Sequence, residues 1–384
     1  MDFGLYIHVP FCRTVCPYCE FNVVGWRDPP WDVYLEGLTQ ELNAHYAQFS
    51  GRRLRTLYFG GGTPSLMPLS IVEKVVKNVK DLCGDDGLRE MSFELNPGTV
   101  DRTYLEGLRS LGINRVSIGW QATQQRLLTI LGRDHDAQES RTITEWALEL
   151  GFPSVSLDVI FAVPGQTEEE LDTTLSEVID VGTQHVSMYE MTFDEGTPFA
   201  RKRDKGQLIE QEDTVVVRMM ERIASRLQAA GYERYEVSSF ARGNHRSLHN
   251  HGYWTGLPYL GIGPGAHGLR HLGPQGWERY QSIVSIRSWL EYWGAPQDDL
   301  KTEWVEPLNE DTRFEEQVLT LVRLGDPFSV QPEFLLGHRR DDWSAGLDEA
   351  IRRGWISKAS TNMVRTTNVG MRFADSLGLL LIGG

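Results

Sequence analysis

The stretch Tyr6-Ile7-His8-Val9-Pro10-Phe11-Cys12-Arg13-Thr14-Val15-Cys16-Pro17-Tyr18-Cys19 decides how the rest of the chain is read. Residues 5–9 have the β-branched and aromatic character of a strand. Three thiols follow within eight residues as C-x3-C-x2-C, on the loop straight after that strand. Three thiolates on one short loop can each reach a different iron of a cubane [4Fe–4S] cluster, leaving the fourth iron open to a small-molecule ligand. Two alternatives stay open at this point. Tetrahedral zinc wants four ligands and usually a second Cys or His pair, which the sequence lacks. A redox-active Cys16-Pro17-Tyr18-Cys19 pair would leave Cys12 without a role. The fourth cysteine, Cys83, reads as a small buried apolar residue.

Working outward, β-branched runs recur at 56–59, 91–95, 115–118, 154–160 and 185–189, with helical patterns at 31–48, 70–82, 104–111, 137–150 and 168–181 between them. Strand and helix alternating in this way predict βα units on a parallel sheet, hence an α/β fold. Right-handed crossovers leave a doubly wound sheet or an open or closed barrel, and periodicity does not choose between them. A long helix is expected over 210–230, then a Gly-rich segment at 253–268. The composition changes near residue 283. Loops are expected at 296–299 and 307–311, helices at 314–323 and 347–353, and a small hairpin around a turn at 361–363. These divide the chain into a large unit, 1–283, and a helical, winged-helix-like unit, 284–384, read as a packing or substrate-covering module.

The 384 residues are 40% hydrophobic and 24% charged, which fits a globular protein and excludes collagen-like and low-complexity chains. With 38 Lys+Arg against 53 Asp+Glu, the formal charge of −15 repels phosphate backbones, so no nucleic-acid partner is expected. No apolar run approaches the roughly 18 residues that a membrane span needs. The N-terminus lacks a basic region, so neither a secretory signal nor a transit peptide is expected there. The expected location is a bacterial cytoplasm, or a mitochondrial matrix if a transit peptide has been removed.

Polar residues repeat at the ends of the expected strands. Gly60-Gly61-Gly62-Thr63 follows the second, and its backbone is expected to approach a ligand and offer N–H groups to it. Glu94 ends the third strand, Gln121 follows the fourth, Arg133 lies beyond it, and Asp158 ends the fifth. An isolated glycine run is usually a tight turn, and a lone strand carboxylate usually a salt-bridge partner. Repetition at strand ends argues instead for one shared site.

Tyr6 through Cys19 resembles the radical S-adenosylmethionine (SAM) superfamily. Gly61-Gly62-Thr63, Glu94-Leu95-Asn96-Pro97-Gly98, Ser117-Ile118-Gly119-Trp120-Gln121, Leu131-Gly132-Arg133 and the segment 158–167 resemble its coproporphyrinogen-oxidase-like branch. Ala162-Val163 stands where Gly-Leu is usual. The resemblance implies a partial (β/α)6 TIM-like radical SAM barrel with a smaller C-terminal helical, winged-helix-like domain. It implies a [4Fe–4S] cluster on Cys12, Cys16 and Cys19, with SAM chelating the open iron. It also implies SAM contacts from Tyr6, Gly61, Gly62, Thr63, Glu94, Gln121, Arg133 and Asp158.

Within that branch, coproporphyrinogen dehydrogenases carry a further Cys two positions after the third ligand, where this chain has Phe21, and a longer N-terminal arm. His249-Asn250-His251-Gly252-Tyr253-Trp254 instead resembles the His-Asn-x-x-Tyr-Trp signature of HemW-type haem chaperones. That resemblance implies haem held at or near His249, Asn250, Tyr253 and Trp254, with His245 and His251 as further ligand candidates. It implies delivery to respiratory haemoproteins and an electron donor if SAM is cleaved, and it allows peripheral membrane contact through those recipients and a homodimer. The competing expectation is a radical enzyme, either a coproporphyrinogen III dehydrogenase or a methyltransferase. A cluster-bearing redox sensor would leave the SAM positions without a role.

Overall fold

The computed structural model describes residues 2–297 and 299–383; Met1 and Gly384, at the outer ends of the two expected units, and Asp298, in the expected loop 296–299, lie outside the described residues. Six parallel strands lie side by side in chain order: β1 (Asp2–Val9), β2 (Arg53–Gly61), β3 (Glu90–Leu95), β4 (Arg115–Gln121), β5 (Ser154–Phe161) and β6 (His185–Glu190). Helices α1 (Trp31–Tyr46), α2 (Leu69–Cys83), α3 (Arg102–Ser110), α4 (Gln125–Ile130), α5 (Ala137–Glu149), α6 (Glu168–Val181), α7 (Pro198–Asp204) and α8 (Asp213–Ala229) connect and follow them. Local chemistry sets several of the ends. Asp136 and Glu139 form a capping box on α5, Thr167 and Glu170 form another on α6, and Gly182 in the left-handed region stops α6.

Strand alternation gives the sheet two unlike faces. Leu5, Ile7, Leu57, Phe59, Phe93, Leu95, Leu157 and Val159 are fully or nearly fully buried in the large core that the helices share. Tyr6, Tyr58, Glu94, Ser117, Asp158 and Tyr189 occupy the opposite face. The register fixes their order, with Tyr6 opposite Tyr58, Glu94 opposite Ser117, and Asp158 opposite Ser187.

Both edges of this six-stranded core are extended. On β6 lie the antiparallel β8 (Ser239–Ala241) and the outer β7 (Glu233–Arg234). After α9 (Leu248–Trp254) the chain returns as β9 (Tyr259–Ile262), parallel to β1, followed by the antiparallel β10 (His267–His271), β11 (Trp277–Gln281) and β12 (Trp304–Leu308). The sheet thus reads β12-β11-β10-β9-β1-β2-β3-β4-β5-β6-β8-β7. β1 meets β9 rather than β6, so the parallel strands form an open (β/α)6 core. The Gly-rich segment at 253–268 therefore contributes strand and not only loop. Its backbone pairing overrides a composition that reads as turn.

Beyond residue 283, α10 (Ile286–Trp293) still buries Trp289 and Trp293 in the larger core, and β12 still belongs to the large sheet. A separate core begins at Phe314 on α11 (Glu310–Leu321). It includes Phe328 of β13 (Phe328–Ser329), Trp343 and Leu347 of α12 (Arg340–Arg352), Ile356 of β14 (Ile356–Lys358), and Val364 of β15 (Met363–Thr366). α13 (Asn368–Arg372) and α14 (Ala374–Ile382) complete it. β15 lies between β13 and β14, which gives the helix-and-hairpin arrangement of a winged-helix-like unit. Among the described residues no helix is long and apolar enough to cross a membrane.

Candidate active site and haem motif

A cavity of about 370 Å³ opens at the C-terminal ends of the parallel strands. Cys12, Cys16 and Cys19 line it together with Gly61, Gly62, Thr63, Glu94, Gln121, Arg133 and Asp158, so residues up to 146 positions apart meet in one place. Tyr6 lies just outside, lining a neighbouring cavity that shares Gly61 and Glu94 with the first. No three His, Cys, Asp or Glu side chains among the described residues are grouped to hold a single metal ion. The thiols are spread along the cavity wall instead.

Each polar group is fixed by a neighbour. Tyr58 donates to Glu94 Oε1 at 2.8 Å, and the Gly61 N–H donates to Oε2 at 3.2 Å. Burial, offset by those bonds and reinforced by Asp158, pushes Glu94 up to about 7. Ser117 donates to Asp158 Oδ2 at 2.8 Å, and burial raises that carboxyl as well. Gln121 has φ 63°, at a shift in pairing between β4 and β5. Backbone in this region costs a non-glycine residue about 1–2 kcal/mol, a strain typical of functional sites. Gly119 makes the room: a Cβ there would lie 3.0 Å from the Gln121 amide nitrogen and 3.2 Å from Arg133. Arg133 donates to Asn96 Oδ1 at 2.7 Å and approaches the Cys16 sulfur at 3.5 Å. Its Nε is buried with no partner among the described residues, leaving a donor for an anionic ligand.

The glycine run differs from the expectation of free N–H donors. The Gly62 N–H donates to Val9 O at 2.7 Å and the Thr63 N–H to Phe11 O at 2.9 Å, while the Gly61 N–H is held by Glu94. The run continues β2 alongside the start of the cysteine loop, so its donors are consumed by the chain. What glycine supplies is closeness. A Cβ on Gly62 would sit 2.9 Å from the Cys12 sulfur and from two carbonyl oxygens.

The residues 249–254 do not converge on one ligand. Ser247 caps α9, and the backbone N–H groups of Leu248 and His249 donate to the Glu90 carboxylate at the start of β3. This places His249, only 3% exposed, beneath the sheet's polar face. Its Nδ1 pairs with Thr56 at 2.8 Å, its Nε2 pairs with Tyr253 at 2.7 Å, and its ring stacks on Tyr58 at 5.0 Å. Burial lowers its pKa to about 3. A haem ligand needs a free ring nitrogen, and here neither is free, so the expected role of His249 does not fit this arrangement. His251 is bound to Asp326 at 3.1 Å, and Trp254 lies under Arg323, so these two face the C-terminal unit. Asn250 is half-buried on the same helix and lines neither cavity. Tyr253 alone of the set lines the second cavity.

The Radical SAM superfamily model matches residues 6–178. The chain is 34% identical over 329 residues to the protein named heme chaperone HemW in Mycobacterium tuberculosis, covering 84% of this chain and 82% of that one. The chain belongs to the HemW family of radical SAM proteins. Escherichia coli HemW is 34% identical over 69% of each chain. The mitochondrial radical SAM domain-containing protein 1 of Danio rerio is 36% identical over 70% of this chain, which spans only 60% of that protein's length. The structure of coproporphyrinogen III oxidase HemN from Escherichia coli superposes with a TM-score of 0.82 over 99% of this chain and 90% of its own. At 21% identity this is a likeness of fold.

Membership of the radical SAM superfamily implies a [4Fe–4S] cluster and SAM. The donor set fits both. Three thiols share one wall, and carboxylates, an amide and a guanidinium with an unpaired donor face them. Burial pushes the Cys12 thiol up to about 11, so a thiolate there calls for a bound cation. Sequence reasoning missed Asn96, which positions Arg133, and the wall formed by Tyr189, Met191, Thr192 and Asp194. Both were within reach: Asn96 lies in a motif already singled out, and Tyr189 ends the sixth strand as Glu94 ends the third.

Proposed function

We propose that this chain is a haem chaperone that holds a [4Fe–4S] cluster and SAM and passes haem to respiratory haemoproteins. The reading rests on one observation above others: three thiols on a post-strand loop and the polar ends of four parallel strands line a single cavity. In it, Cys12, Cys16 and Cys19 hold the cluster. Arg133 binds the carboxylate of SAM, while Glu94, Asp158 and Gln121 take its ammonium and ribose hydroxyls. Tyr58 orients Glu94 through its hydroxyl. When bound, the cluster supplies an electron to SAM if SAM is cleaved, and an external donor is then required.

Phe21 weighs against the dehydrogenase reading. It stands where those enzymes have their further cysteine, and it is 59% exposed between the two cavities. A paired experiment tests the proposal. Reconstituted protein is titrated with haem while a Soret band is followed, and the reduced, anaerobic protein is assayed for coproporphyrinogen III consumption. Haem binding without turnover is the expected result. Enzymatic consumption of coproporphyrinogen, or no haem binding, overturns it.

A further inference from the structure

The second cavity, of about 760 Å³, lies between β1, the β9–β11 arm and α11. Its size is within the roughly 300–1,000 Å³ of ligand pockets. Glu20, Phe21, Gly61 and Glu94 line it and the first cavity alike, so the two lie side by side at the cysteine loop. We propose that this cavity is the haem seat, with His267 as the axial ligand and Arg279 and Arg313 as partners of the propionates. This rests on the haem-chaperone reading and goes beyond it by assigning the seat and the ligand.

Histidine availability is the first reason. Two histidines line the cavity, His8 and His267. His8 has both nitrogens engaged, by Tyr6 at 3.1 Å and by the Asn22 carbonyl at 2.8 Å. His267 is exposed, meets Trp304 edge-on at 5.7 Å, and has no hydrogen-bond partner on its ring among the described residues. Partial burial and the Arg279 charge lower its pKa, which favours the neutral imidazole that ligates iron.

Geometry is the second. His267 pairs with Gln281 and Leu269 with Arg279 across the β10–β11 hairpin, and all four side chains line the cavity. His267 and Arg279 are therefore diagonal neighbours on one face, about 7–8 Å apart at the backbone. That spacing suits a macrocycle whose iron is held at its centre and whose carboxylates lie at its rim. Arg313 approaches from α11, where it bonds the Gly256 carbonyl at 3.0 Å and lies over Trp277 at 4.5 Å. Both guanidiniums meet Glu316, and Arg279 also comes within 3.9 Å of Glu306 on β12, while the buried Arg313 Nε has no partner among the described residues and remains a donor on that wall. The other acids of the cavity, Glu20 and Glu94, lie at the end shared with the first cavity. Tyr253 and Tyr259, in edge contact at 4.6 Å, supply an aromatic wall. His249, bonded to Tyr253 from behind, is thus a positioning residue for that wall.

The test is anaerobic titration of the full reconstituted chain with haem, reading affinity and the iron's ligation spectrum. His267→Ala is expected to weaken binding about tenfold or more and to lose the imidazole signature, with free imidazole restoring it. His267→Tyr is expected to bind with a phenolate signature. Arg279→Gln and Arg313→Gln are expected to weaken binding about tenfold each while keeping the imidazole signature. His249→Gln is expected to keep it also. If wild type binds haem and both His267 variants retain its ligation spectrum and affinity, the seat is wrong while the chaperone reading stands. If wild type binds no haem, the chaperone reading itself falls. Cluster absorbance and SAM binding, measured on every variant, separate a lost ligand from a lost fold.

Discussion

The Arg133 guanidinium lies 3.5 Å from the Cys16 sulfur, with its other arm on Asn96. A fixed positive charge therefore stands beside one thiol, and its Nε still lacks a partner. Arg133→Gln is expected to weaken SAM binding at least about tenfold, because a charge-assisted bond in a buried site is lost. It is also expected to make the cluster harder to reduce. Isothermal titration and a redox titration check the two effects. Unchanged SAM affinity would remove Arg133 from the SAM site.

The cysteines separate by position. Cys12→Ser, Cys16→Ser and Cys19→Ser are each expected to lose the cluster's iron, acid-labile sulfide and visible absorbance. Cys83, at the end of α2 and away from the cavity, has its thiol pushed up to about 12 by burial. Cys83→Ser is expected to keep wild-type iron content. Loss of iron in that variant would contradict the assignment.

Ala162 has φ 59°, where relatives of this branch are expected to carry glycine. The left-handed region costs alanine about 1–2 kcal/mol. Glycine would recover that, but it adds about 0.4–1 kcal/mol of unfolded-state entropy and removes a buried methyl worth about 0.8 kcal/mol. These effects nearly cancel. Ala162→Gly is expected within about 0.5 kcal/mol of wild type in denaturant unfolding, and Ala162→Val to cost more than about 2 kcal/mol. A neutral Ala162→Val would show that the strain is not there.

Stability is expected to fall on both sides of weakly acidic pH. His249 titrates at about 3 when folded against an ordinary 6.5, so its contribution is present above 6.5 and is lost as pH falls toward 3. Glu41, fully buried behind β9, is pushed by burial up to about 7, against the opposing bonds from Gly263, Ser282 and Trp289. Its contribution is present below 4.5 and is lost as pH rises through 7, about 3 kcal/mol in all. Denaturant midpoints across pH should show both limbs in apo-protein, and Glu41→Gln should shrink the alkaline one, to which Glu94, also raised to about 7, contributes the remainder. An unchanged alkaline limb in Glu41→Gln would place its origin elsewhere.

Much of this is legible in the sequence. The six parallel strands and their helices follow the period-2 and period-3.6 patterns, because each βα unit buries its own apolar face locally. The cavity residues were readable because polar side chains at strand ends have nowhere else to point. The β9–β12 arm was not. β11, Trp277–Gln281, mixes aromatic and charged residues without a clean buried face, and it is held by pairing with distant strands. The fate of residues 249–254 was hidden for a related reason. A motif shows which residues are used but not whether a ring nitrogen is already taken, and Thr56, far away in sequence, takes one from His249.

The cysteine loop has main-chain bonds of its own. Gly62 and Thr63 stitch it to β2, Val24 N–H bonds Pro10 O at 2.8 Å, and Trp26 N–H bonds Cys12 O at 2.9 Å. The loop's two ends are therefore held by peptide groups that do not depend on iron. An assembly machinery delivering iron and sulfide would meet a loop already anchored at both of its ends, and a chain stripped of its cluster by oxygen would keep those anchors for refilling.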